Sequence, residues 1–185
     1  MKFQLLAALC LSLASCGYSA GLRAPEGYST IGLEFFGNDS DLRDLEADLY
    51  QAISLSLNQL VGTPLAAPGE ANLVVRGNII EYRRRGGARD ENNLRQETGV
   101  RLTVEAYLWN RRTGARVGSI STSEIETGYT VGQGSFDTST IDETVRDPNL
   151  ERANELNARA RALRLTAEKL VFELFATPTA AVKKP

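Results

Sequence analysis

Near the N-terminus, Leu13-Ala14-Ser15-Cys16 places a branched aliphatic residue and two small ones ahead of a thiol. The pattern reads as a lipobox: small side chains fit the narrow cleft of a signal peptidase, and the sulfur is the nucleophile that takes up a diacylglycerol. Lys2 and the apolar run Phe3 to Leu13 supply the charged start and the hydrophobic stretch of a secretory signal. That run is too short to cross a bilayer, which takes about 20 apolar residues. Residues 1–15 are therefore expected to be removed, leaving Cys16 as the first mature residue with a covalent lipid and no other cofactor. The competing readings are an ordinary secretory signal with an incidental cysteine and a buried N-terminal helix. Cys10 would leave with the signal, so Cys16 stands alone and no disulfide framework is possible. Gly17 follows it, where an aspartate would retain a lipoprotein in the inner membrane. That points to the outer membrane, on its periplasmic side.

Elsewhere the chain is poor in reactive groups. Histidine is absent and Met1 is the only methionine, so the usual acid–base side chain and the commonest metal ligand are missing. The mature lysines are Lys169, Lys183 and Lys184, all near the C-terminus. Glu124 and Glu126 would share one face of a strand, which like charges on exposed faces often do. Gly132-Gln133-Gly134 lacks the third glycine and the following helix of a nucleotide fingerprint. No catalytic constellation emerges, and the expectation is a protein that is not an enzyme and holds no metal. Without Lys2 the chain sets 20 basic against 23 acidic residues, a balance that argues against nucleic-acid binding. The densest basic cluster is Arg83, Arg84, Arg85, Arg89 and Arg95. Arginine's planar fork binds phosphate oxygens bidentately where lysine offers a point charge. A GC-rich genome would give the same arginine bias.

The elements that must position these residues follow from periodicity. About 170 mature residues form one domain of ordinary size. Residues 16–27, with three glycines and a proline, read as an acylated start and a tether or a loop packed on the domain; 28–177 is the domain, and 178–185 a low-complexity tail expected to be disordered. Ile31, Leu33 and Phe35 alternate with polar residues as in a half-buried strand. Gly37 to Asp41 offers N-cap oxygens to a helix whose stripe is Leu42, Leu45, Leu49, Ile53, Leu57 and Leu60, ending at Gly62. Asn72 to Tyr82 is a second strand, with Gly77 marking a bulge or a close backbone approach. The pattern then lapses from Arg83 to Arg95, a charged exposed loop. Val100 to Trp109 alternates cleanly, Asn110 to Gly114 is a hairpin turn, and Arg116 to Val131 is a fourth strand whose alternation slips between Ile120 and Ile125, which signals a bulge or a weak edge. After a polar loop, Asp147-Pro148 opens a second helix with the stripe Ala153, Leu156, Ala160, Leu163, Ala167, Leu170 and Leu174. Its small alanines suit packing on a sheet better than a coiled-coil seam. The expected fold is α+β: a two-layer sandwich of two helices on one face of a mixed four-stranded sheet.

With Cys16-Gly17-Tyr18, the strand–helix start, the glycine-bearing strand and Val100-Arg101-Leu102-Thr103-Val104 running into Arg112-Thr113-Gly114, the chain resembles the LPS-assembly lipoprotein family, LptE. The likeness covers most of the mature chain and rests on the order and spacing of elements. It implies an outer-membrane lipoprotein that plugs and helps assemble an LptD-like β-barrel and takes part in delivering lipopolysaccharide to the cell surface. It also implies lipopolysaccharide contacts from basic side chains, for which Arg83, Arg84, Arg85, Arg89 and Arg95 are the nearest matches. The tail beyond Thr177 and the net negative charge depart from the family pattern. The alternative from the residues alone is a pilot or scaffold lipoprotein of another envelope secretion or export complex.

Overall fold

The computed structural model describes residues 21–87, 91, 97–130 and 148–176. Cys16, Arg89, Arg95, Gly132 to Gly134 and the tail lie outside these residues. Among the described residues the elements are β1 (Ile31–Leu33), β2 (Gly37–Asn38), α1 (Leu45–Leu60), β3 (Leu73–Gly86), β4 (Glu97–Asn110), β5 (Ala115–Thr130) and α2 (Pro148–Ala176). The sheet runs β1-β3-β4-β5, with β2 also pairing β3. β1 and β2 lie parallel to β3, while β3, β4 and β5 form an antiparallel meander. This is the expected mixed α+β sandwich. The predicted first strand is cut to Ile31–Leu33, and the short β2 on the same edge falls in the polar stretch read as the approach to the helix.

Leu45, Leu49, Ile53 and Leu57 of α1, Leu73, Val75 and Ile79 of β3, Leu102, Val104 and Leu108 of β4, and Leu163, Leu170, Val171 and Leu174 of α2 are buried in one cluster. α2 packs on β4, β5 and α1. Gly77 sits in β3 because a Cβ there would run into the carbonyl oxygen of Glu105 and the ring of Phe36. The bulge comes three residues later, where the β3–β4 register shifts between Ile79 and Glu81 and Ile80 turns outward. In β5 the shift lies opposite Ala106 to Leu108, with Gly118 at φ 76°. In the β4–β5 turn Asn110 Oδ1 accepts the amides of Arg112 (2.9 Å) and Thr113 (3.1 Å), and Gly114 takes the left-handed φ of 62°.

Three expectations need correction. The first helix begins at Leu45, after Asp44 at φ 67°, and no side chain caps it; Leu42 lies before it. Asn38 organises the approach instead, donating to Leu42 O and Glu46 Oε2 (2.9 Å each) and accepting from Ser40 N (3.0 Å). Next, β3 continues through Arg83, Arg84 and Arg85, so these residues are strand and not loop. The bulge at Ile80 reset their faces, which is why alternation counted from Leu73 lapses there. Last, Ala153, Leu156 and Ala160 are exposed, while Ala158, Ala162 and Thr166 are buried. The buried face of this half of α2 is the one through Ala158, Ala162 and Thr166, roughly a quarter to half turn away from the predicted stripe; α2, with 29 residues, is also longer than α1, with 16. Arg159 Nη2 meets Asp48 Oδ2 (3.5 Å) in the first turn of α1, so the part of α2 before it runs past α1.

The expected tether is also shorter. Leu22 donates to Leu60 O and accepts from Gly62 N (2.9 Å each), and Ala24 N donates to Thr63 Oγ1 (2.9 Å). From Leu22 onward the chain is held on the domain.

Candidate functional site

The helices cover one face of the sheet, and the other face carries the charged residues. Toward the end of the sheet where β3 finishes, Arg83 and Arg85 of β3, Arg101 of β4 and Glu124 and Glu126 of β5 share this open face, in register: Arg83 opposite Arg101, and Arg101 opposite Glu126. Arg83 Nε pairs with Glu81 Oε1 (2.6 Å). Arg101 Nε donates to Glu126 Oε1 (2.7 Å) and lies 3.5 Å from Glu124 Oε1, while Arg85 Nη1 meets the second oxygen of Glu126. Glu126 thus bridges two guanidiniums. Its carboxyl is held below the usual carboxylate range, first by the hydrogen bond from Arg101, which together with the charges of Arg101 and Arg85 outweighs the opposing desolvation. The Arg101 guanidinium is pushed up by the same hydrogen bond and charge.

Arg84 points the other way. Its Nε pairs with Glu155 Oε1 of α2 at 2.7 Å, tying the strand end to the overhanging part of the helix. Thr127 Oγ1 donates to Ala158 O (2.8 Å) and Arg161 Nη2 to Gly128 O (2.6 Å) across the same seam. Thr127 is buried here; Ser121 and Ser123, further along β5, and Thr166 of α2 are buried as well.

Of the five arginines marked in the sequence, the structure therefore brings Arg83 and Arg85 together on one face and sends Arg84 to the helix side. Each is already matched by a carboxylate. Three guanidiniums and three carboxylates on the open face leave this patch without net charge. The side chains remain 75%, 71% and 62% exposed for Arg83, Arg84 and Arg85. Exposed pairs of this kind are screened by solvent and add little to stability.

A second group on the open face was not legible in the sequence. Arg76 of β3 lies 5.0 Å above the Trp109 ring, its Nη2 donates to Glu34 Oε1 (2.7 Å), and Trp109 meets Tyr107 edge-on at 6.4 Å. Alternation put Tyr107 and Trp109 on the outer face. That Arg76 is opposite Tyr107 needs the cross-strand register, which periodicity does not give.

No protein-family model matches the chain, and no curated protein matches it in sequence. Solved structures match in fold. An uncharacterized lipoprotein B from Nitrosomonas europaea is similar over 90% of this chain and 94% of its own, with a TM-score of 0.54 and 12% identity. A minor lipoprotein from Acinetobacter baumannii matches over 80% and 92%, with a TM-score of 0.51 and 20% identity. The rare lipoprotein B from Shewanella oneidensis matches over 78% and 92%, with a TM-score of 0.51 and 12% identity. At these identities the likeness is one of fold: the two-helix, mixed-sheet domain is shared with bacterial lipoproteins.

Proposed function

We propose that this chain is an outer-membrane lipoprotein, acylated at Cys16 and facing the periplasm, that serves as the plug and assembly partner of an LptD-like β-barrel in lipopolysaccharide transport. The observation that carries the reading is the pairing of a lipobox with a fold shared by lipoproteins over 78–90% of the chain. The resemblance in element order supplies the finer assignment. Lipopolysaccharide head groups are phosphorylated, and the exposed Arg83, Arg84 and Arg85, with Arg89 and Arg95, are the proposed contacts. In the absence of ligand, Glu81, Glu126 and Glu155 hold the first three in place.

Two measurements test this together. Fatty-acid labelling of the cells should mark the wild-type protein and leave Cys16→Ala unlabelled; label retained on the variant would end the lipoprotein reading. Affinity purification from detergent-solubilised outer membrane should recover one large β-barrel. Recovery of a ring-forming or trans-envelope complex would instead support the pilot or scaffold role.

A further inference from the structure

One end of the sheet gathers the start of the described chain and the β4–β5 turn. Leu22 is bonded to Leu60 and Gly62, Asn110 Nδ2 donates to Tyr28 Oη (2.7 Å), Arg111 N donates to Asn72 O (3.0 Å), and Arg111 Nη1 donates to Pro68 O (3.0 Å). Leu22 is six steps along the chain from Cys16, which limits their separation to roughly 20 Å. The paired arginines lie at the other end. From Asn110 to Gly99, the residue opposite Arg85, β4 runs eleven steps, or about 36 Å.

Charge divides the same way. Arg23, Arg111, Arg112 and Arg116 are exposed at the Leu22 end and form no ion pair among the described residues; the segment 21–28, the loop 62–72 and the turn 110–116 hold only Glu26 and Glu70 against them. At the far end the open-face arginines are matched by carboxylates.

We infer that, while the lipoprotein is not seated in a barrel, the β4–β5 turn, with Arg111 and Arg112 at its tip, is a docking surface for the anionic phospholipid bilayer in which Cys16 is anchored, so that the sheet stands with this end on the membrane and the Arg83–Arg85 end away from it. The inference rests on acylation of Cys16. Each arginine near an anionic surface favours contact about fivefold, and the effect fades within a Debye length. Two arginines at the tip therefore favour this orientation about 25-fold over one in which the neutral patch faces the lipid.

The test uses the full-length protein purified from membranes and reconstituted in vesicles of phosphatidylethanolamine with phosphatidylglycerol, or of phosphatidylcholine alone. With Cys16 acylated, a cysteine introduced as Thr113→Cys or Gly87→Cys is the sole free thiol and takes a fluorophore. Quenching by a head-group-labelled lipid should be several-fold stronger at 113 than at 87 in the anionic vesicles. Added Arg111→Gln and Arg112→Gln, high salt or neutral lipid should bring 113 down to the level of 87. Equal or stronger quenching at 87, or quenching at 113 that ignores these changes, overturns the inference and leaves the lipoprotein reading intact. Intact mass of the same sample separates the two: absence of the acyl mass overturns both.

Discussion

The two ends of the sandwich are held by different chemistry. Near the Leu22 end, α2 lies against α1 and the sheet, and Leu163, Leu170, Val171, Leu174 and Phe175 are buried in the main cluster. Toward the Arg83–Arg85 end, α2 has run past α1; Ala158 and Ala162 still join Tyr82, Val100 and Leu102 in the buried cluster, Thr127 adds its hydrogen bond to Ala158 O, and guanidinium pairs line the margin. Apolar area stabilises in proportion to its burial, whereas a hydroxyl contributes only when its hydrogen bond replaces one to water. The first end is therefore packed with large apolar side chains of α2; at the second α2 contributes only small ones, and a few polar contacts add to the packing.

Substitutions can break this contrast or sharpen it. Leu170→Ala, at the packed end, should lower stability by about 2–5 kcal/mol in denaturant unfolding. A shift well below that range would mean the packed end is looser than its burial implies. Thr127→Val, at the polar seam, keeps the volume and removes the hydrogen bond to Ala158 O; the expected loss is about 0.5–1.5 kcal/mol by the same measurement. A loss as large as that of Leu170→Ala would erase the difference between the ends.

The Arg85–Glu126–Arg101 bridge gives a smaller, pH-dependent effect. Glu126 is depressed in the folded protein, so its contribution is present above the ordinary carboxylate range and is lost as pH falls through the depressed value. The melting temperature of Glu126→Gln should therefore fall less than that of wild type between neutral pH and the acid side of that range, with the gap shrinking in high salt. Parallel pH profiles would show that the bridge contributes nothing. Thr166→Val should change least. Its hydroxyl is buried and has no hydrogen-bond partner among the described residues, so removing it leaves stability unchanged or slightly raised. A clear loss would reveal a bond through water.

The packed end was the legible one. Leu45 to Leu57 and Leu163 to Leu174 recur at helical spacing, and Val100 to Leu108 alternate, because each segment buries one continuous apolar stripe. The other end was misread for two physical reasons. A single bulged residue at Ile80 moved Arg83–Arg85 out of phase with the strand they belong to. Nothing in the periodicity of α2 announces that α1 stops short of Leu156. Of the candidate site, the shared face of Glu124 and Glu126 was readable from their spacing. That they would neutralise Arg85 and Arg101 depended on residues 23 to 41 apart in sequence coming into register.

The outer edge of β5 bears on crowding. Sixteen residues long and without a second neighbour among the described residues, it presents a row of backbone donors and acceptors that another chain could copy. On the proposed reading, lipid-anchored copies share one membrane plane, where confinement raises their local concentration and the risk of edge-to-edge stacking with it. The irregularity at Gly118 twists this edge out of the flat geometry such stacking requires. An antiparallel seam centred on Ile125 would also set Glu124 opposite the Glu126 of the next molecule, and like charges directly across a seam disfavour that register.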